Sequence, residues 1–171
     1  AVLVDIEFDS TEIAIIVNGV PQFNRTVPIG TYQLQSALSR AMNLPTSRNT
    51  DLLQGMTIPT NSPVDSTRTG ATGITPGMAA LLRVLGELTD ELRRSIDFYL
   101  NQSENLEVAQ LLLAGPGAGM GQMDEFFTQR LSVPTTQIDP IAALGLQVDK
   151  EIPLLQRPSL GTVLGLGLRE A

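Results

Sequence analysis

Asp5 and Glu7 open the chain as Asp-Ile-Glu within the run AVLVDIEFDS. Two residues apart on a strand, their carboxylates point to the same face. A pair so placed can hold a catalytic metal. Equally, Asp5 can be the remnant of a phosphate-binding turn in which Glu7 has replaced something smaller. A solvated strand face is the plainer alternative to both. The second stretch with chemical potential is the glycine-rich turn GPGAGMG at 115–121, after the apolar run Val108 to Ala114. The third is Glu91 and Arg94, one helical turn apart on a shared face.

The composition narrows what such groups can do. With neither histidine nor cysteine, zinc sites, imidazole bases and thiol nucleophiles are excluded. A net charge of −7 with only 11 Lys and Arg argues against a nucleic-acid partner, whose footprint is a basic face. The absence of disulfides fits a cytoplasmic location. No run approaches the ~20 apolar residues of a membrane span, and the first positive charge, Arg25, comes too late for a signal peptide. The chain starts inside an apolar strand without an initiator methionine, and so reads as a piece of a longer protein. At 171 residues it is long enough to bury about 70% of its unfolded surface as one domain with an insertion.

Three strands fill the first thirty residues. VLVDIEF and TEIAIIV alternate, and Asn18-Gly19 is a strong hairpin signal. VPQFNRTVPIG follows, with Phe23, Arg25 and Val27 on one face and with prolines that suit an open edge. A helix is expected from Thr31, as N-cap, to about Asn43, its apolar residues on one stripe. Residues 44–76 are rich in Pro, Thr, Ser and Gly and predict a flexible insertion. The strongest periodicity, Met78, Leu81, Leu85, Leu88, Leu92, Ile96 and Tyr99, predicts a helix over 77–101. Then come the strand ending at Ala114, a helix over 120–131, the strand VPTTQID, and a terminal helix from Ser159 whose glycines would let it lie close to the sheet. The expected division is 1–43 for the first part of the lobe, 44–101 for the insertion and its long helix, and 102–171 for completion of the lobe. The order β-β-β-α, insertion, β-α-β-α predicts a ribonuclease-H-like α/β fold: a mixed five-stranded sheet with helices on both faces and an inserted helical and loop subdomain.

That fold hosts several chemistries, so the polar residues have to decide. A two-metal nuclease needs three or four converging carboxylates. The helix YQLQSALSRAM carries none, and the fourth strand ends in Ala114-Gly115. A dinucleotide fingerprint fails on spacing, since the sixth position from Gly115 is Met120 and from Gly117 is Gln122. Nucleotide binding between two halves of an actin-like ATPase uses a turn between the first two strands, here Asp5, Glu7 and Thr11, and a second glycine turn, here Gly115 and Gly117. Glu91 and Arg94 complete that set.

LTDELRRSIDFYL, LLLAGPGA, TQRLSVPTTQIDP and the terminal LGLGLREA resemble the C-terminal half of the PilM family, actin-like (FtsA-like) proteins of the bacterial type IV pilus machine. The resemblance implies a cytoplasmic protein, associated with the inner membrane through partners, that binds ATP with Mg2+ between two lobes. It also implies docking of the N-terminal peptide of PilN in a groove of the N-terminal lobe, alongside other pilus assembly proteins. On this reading the chain lacks that lobe and should bind neither nucleotide nor PilN well by itself. The family's Asp-Ile-Gly turn is Asp5-Ile6-Glu7 here, and Pro116 removes an N–H from the second turn. Both departures point to a non-catalytic scaffold with weakened nucleotide binding. The alternatives are an active ATPase or small-molecule kinase of the same superfamily, or an FtsA-like cell-division or type II secretion relative.

Overall fold

Val2–Ile6 (β1) and Thr11–Val17 (β2) run antiparallel, with Val2 opposite Ile15 and Val4 opposite Ile13. Strict alternation puts Val2, Val4, Ile6, Ile13 and Ile15 on one buried face. The connection to Val20–Val27 (β3) is the expected two-residue turn, with positive φ at both Asn18 and Gly19. Pro21 sits on this edge strand beside a bulge between Ile15 and Ile16, which absorbs the ladder bond that proline cannot make. Leu111–Ala114 (β4) adds in parallel to the other side of β1, and Thr135–Gln137 (β5) adds to β4. The strand order is β3-β2-β1-β4-β5. The computed structural model describes residues 1–48, 51–53, 55–60, 74–103 and 106–168.

Thr31–Ala41 (α1) and Pro76–Leu100 (α2) lie between β3 and β4, and Met123–Leu131 (α3) between β4 and β5. Right-handed connections that step the same way across a sheet fall on one face. These three helices therefore share the face carrying Val4, Ile13 and Leu113, where Leu81, Leu85, Leu88, Leu92, Met123 and Phe127 complete the core. Thr75 caps α2, its hydroxyl accepting from the Met78 N–H at 3.2 Å, with Pro76 in the first turn. The cap of α1 is Gly30 rather than Thr31. Gln33 Oε1 accepts from the Gly30 N–H at 2.8 Å, while Thr31 is buried inside the first turn.

Two further departures concern the loop and the terminus. Much of the expected flexible insertion, 61–73 included, lies outside the described residues. Residues 55–60 belong to the fold, however. Gly121 donates to Met56 O and Ile58 donates to Gly121 O, both at 2.8 Å, and Leu53 and Ile58 enter the core. A composition average over a Pro- and Thr-rich segment hides two buried anchors. The C-terminal segment forms a short capped helix, Pro140–Ala143 (α4), then a 3-10 helix, Leu154–Leu160, then Gly161–Gly167 (α5). The glycines of α5 do not bring it flat onto the sheet. Gly165 and Gly167 face open space, α5 buries no residue, and Val163, Leu166 and Leu168 are exposed.

The anchoring role of residue 58 has a direct consequence. Ile58→Ala should cost about 2–5 kcal/mol, as a core truncation does, whereas Leu52→Ala, exposed nearby, should stay within about 0.5 kcal/mol. Urea denaturation of both variants checks this, and equal midpoints would refute the anchor.

Candidate functional site at the carboxyl ends of the parallel strands

From β1 the chain turns toward β2, and from β4 it turns the opposite way toward β5. Adjacent parallel strands whose connections diverge leave a crevice beyond their carboxyl ends, the usual place for a ligand in such sheets. Asp5 and Glu7 end β1 at this crevice, and Gly115 and Gly117 follow β4 directly beside them. Gly115 has a φ of +80°, and a Cβ there would strike Asp5 Oδ1 and come within 2.6 Å of Ile6 O. A Cβ on Gly117 would strike Ile6 Cγ2. Both glycines are thus required by close approach of the turn to β1, before any ligand is considered.

Past the turn lies a cavity of about 440 Å³. Thr31, Leu53, Gly117, Met120, Leu155 and Gln156 are among the residues that line it. Its size suits a nucleoside. No charged side chain lines it among the described residues. Three backbone donors nearby are committed: Thr31 N–H donates to Glu7 O and Tyr32 N–H to Phe8 O, each at 2.9 Å, and Gly115 N–H donates to Pro158 O at 3.0 Å. Pro116 has no N–H to offer. A phosphate would find these three donors taken.

The carboxylates sharpen the mismatch. Burial pushes Asp5 above the usual carboxylate range, and Glu12 adds to this, against lowering contacts from Glu7 and Thr162. Glu7 is raised as well, first by burial and then by the Asp5 charge and its hydrogen bond to Asp5. Asp5 Oδ1 is buried without a hydrogen-bond partner. The two acids therefore favour sharing a proton, as close carboxylates do. No group of three or more acids able to hold a metal ion occurs among the described residues. The residues present fit a nucleoside, but not a nucleotide's phosphates with their magnesium.

The other anticipated site residues lie elsewhere or are occupied. The Thr11 hydroxyl donates to Ile29 O at 2.6 Å and is fully buried on the helix-covered face. Glu91 accepts from Arg25 at 2.7 Å and from Arg94 at 2.8 Å. Arg25 pairs with Ile13, so this network lies across the sheet from Asp5. It fastens α2 to the β3 edge, and aromatic contacts of Phe23 with Phe98 and Tyr99 continue that seam. Sequence reasoning missed Thr31, Met120, Leu155, Gln156 and Thr162. The one signal for Leu155 and Gln156 was Pro153 and Pro158 bracketing a short segment ahead of the final helix; Thr162 lies within that helix and had none.

Because Asp5 is raised in the folded protein, its ionisation opposes folding. Its favourable contribution is full below the unfolded value of 3.8 and is lost as pH rises through the raised value. Asp5→Asn should therefore melt higher than the parent at pH 7, with a gap that shrinks as pH is lowered toward 4. A variant less stable at pH 7, or a gap independent of pH, would contradict this account.

The family model for type IV pilus assembly protein PilM matches residues 78–171. No curated protein matches the chain. Among solved structures, the PilM-PilN type IV pilus biogenesis complex is similar, with a TM-score of 0.72 and 24% identity over 98% of this chain and 44% of that one. The ethanolamine utilization protein EutJ from Carboxydothermus hydrogenoformans follows at 0.63 and 19%, over 98% of this chain and 48% of that one. MreB 5 of Spiroplasma citri bound to AMPPNP gives 0.58 and 16%, over 80% of this chain and 47% of that one. The chain spans less than half the length of each. These likenesses establish the actin-like, ribonuclease-H-like fold. The family model covers more than half of the sequence, and on that match the chain belongs to the PilM family of type IV pilus assembly proteins.

Proposed function

We propose that this chain is one lobe of a cytoplasmic PilM-like scaffold in which nucleotide binding is weakened and no catalysis occurs. The observation that carries the reading is the Asp5–Glu7 pair standing at the crevice where a phosphate-binding turn would run. Committed amides and an uncharged cavity lining support it. The family match and the likeness to a PilM-PilN complex support a place in pilus assembly, with the N-terminal peptide of PilN as partner through a second lobe. No helix of the described residues is long and apolar enough to cross a membrane; the reading assigns attachment to the inner membrane to partners. A second reading, an active ATPase, draws on neighbours such as the AMPPNP-bound MreB 5.

Calorimetric titration separates the two. Mg-ATP should bind the chain no tighter than about 100 μM, and Glu7→Gly should tighten binding about tenfold, or 1.4 kcal/mol. Low-micromolar binding that Glu7→Gly leaves unchanged would sink the scaffold reading in favour of the ATPase. A pull-down with PilN's N-terminal peptide should capture a two-lobed protein containing this chain and leave the 171-residue chain behind. Capture of the chain alone would place the PilN groove here instead.

A further inference from the structure

The outer wall of the cavity, residues 153–159, is poorly anchored by apolar burial. Only Pro158 in it is buried, and Leu154 and Leu155 are exposed. Polar contacts hold it instead. Arg157 Nη1 donates to Asp139 Oδ2 at 2.7 Å, and Arg157 Nε donates to Ile152 O at 3.0 Å. The Arg157 and Asp139 side chains are 19% and 29% exposed, so the pair is partly shielded from water. Asp139 is itself fixed, because its second oxygen accepts from the Ala142 N–H at 3.0 Å and caps α4. On the inner side, Pro158 O receives the Gly115 N–H, and Leu155 O lies against Gly119. One planar guanidinium thus ties the segment before the wall to the end of β5, one residue away from the carbonyl that satisfies the glycine turn.

We propose that the Asp139–Arg157 ion pair is a clasp that positions the 153–159 wall against the Gly115 turn and so sets the shape of the cavity. This deepens, and rests on, the reading of the cavity as the nucleoside end of an eroded nucleotide site. Neither side chain lines the cavity; both act through the wall. The hydrogen bonds that Asp139 accepts from the Ala142 N–H and then from Arg157 hold it below the usual carboxylate range, so the clasp persists at mildly acidic pH and opens only in stronger acid.

Two variants test the clasp. Arg157→Gln removes the charge, and Asp139→Asn removes the pair while keeping an acceptor for the α4 cap. Amide exchange followed by NMR should accelerate at Gly115 by about tenfold in both, with Ile13 and Leu113 amides protected as in the parent. Adenosine, used as probe, should bind each variant about tenfold more weakly. Arg157→Lys, which keeps a charge but loses the Nε–H, should fall between. Parental exchange at Gly115 in both variants would overturn the clasp, as would equal adenosine affinity in parent and variants. If the parent binds no adenosine while Gly115 exchange still responds, the nucleoside reading falls and the clasp stands as the element positioning the turn.

Discussion

The constraint on which the rest depends is the seating of a backbone turn directly on the end of β1. That strand is paired on both sides, antiparallel to β2 and parallel to β4, so it cannot yield to make room. Whatever follows β4 must pass within van der Waals range of Ile6 and Asp5, and only residues without a Cβ can do so at positions 115 and 117. Once the turn is seated, its neighbours have few choices. The N–H of Gly115 is aimed outward and needs an acceptor, which Pro158 supplies. The C-terminal segment is drawn across the crevice as a result, and a cavity closes between it, Met120 and the start of α1.

On the proposed reading, the same geometry would make the crevice suit the apolar end of a nucleotide better than its charged end. A carboxylate ~4 Å from a phosphate charge costs about 4 kcal/mol at intermediate dielectric. Proton sharing between Asp5 and Glu7 lessens this but leaves net negative charge. Each amide that could have offset it would contribute about 1.5–3 kcal/mol as a hydrogen bond to a charged group. Those at Thr31, Tyr32 and Gly115 are spent internally. Repulsion and missing donors thus act in the same direction and are of similar size. On that reading, removing the acid alone would recover only part of the affinity.

What could be read from the residues beforehand was whatever depends on short-range pattern. Alternation in VLVDI and TEIAIIV, the Asn18-Gly19 turn and the stripe Leu81 to Ile96 each encode burial within one element, and the sheet and α2 follow them closely. The pairing of Asp5 and Glu7 with Gly115 and Gly117 was legible too, since the topology brings those strand ends together. Thr11, Glu91 and Arg94 were harder because hydroxyls and charges carry no record of their partners in sequence. The Thr11 hydroxyl serves Ile29, and Glu91 serves Arg25, 66 residues away. Ile58 was hidden for a different reason: a single buried residue has no period.

The terminal helix shows how one composition supports opposite inferences. Glycine lets a helix approach a sheet only if something else holds the helix there, since glycine adds conformational freedom and no contact area. Near α5 the approach is made at its first residue, where Ile138 meets Gly161 and Thr162 reaches Asp5. Beyond that turn no side chain is buried, and the axis is free to leave the surface. The hold on this part of the chain therefore lies upstream, in the Arg157 guanidinium and the Pro158 carbonyl, and α5 takes its direction from them. The stripe of small residues records what the helix could tolerate, while the polar clasp before it determines where it begins.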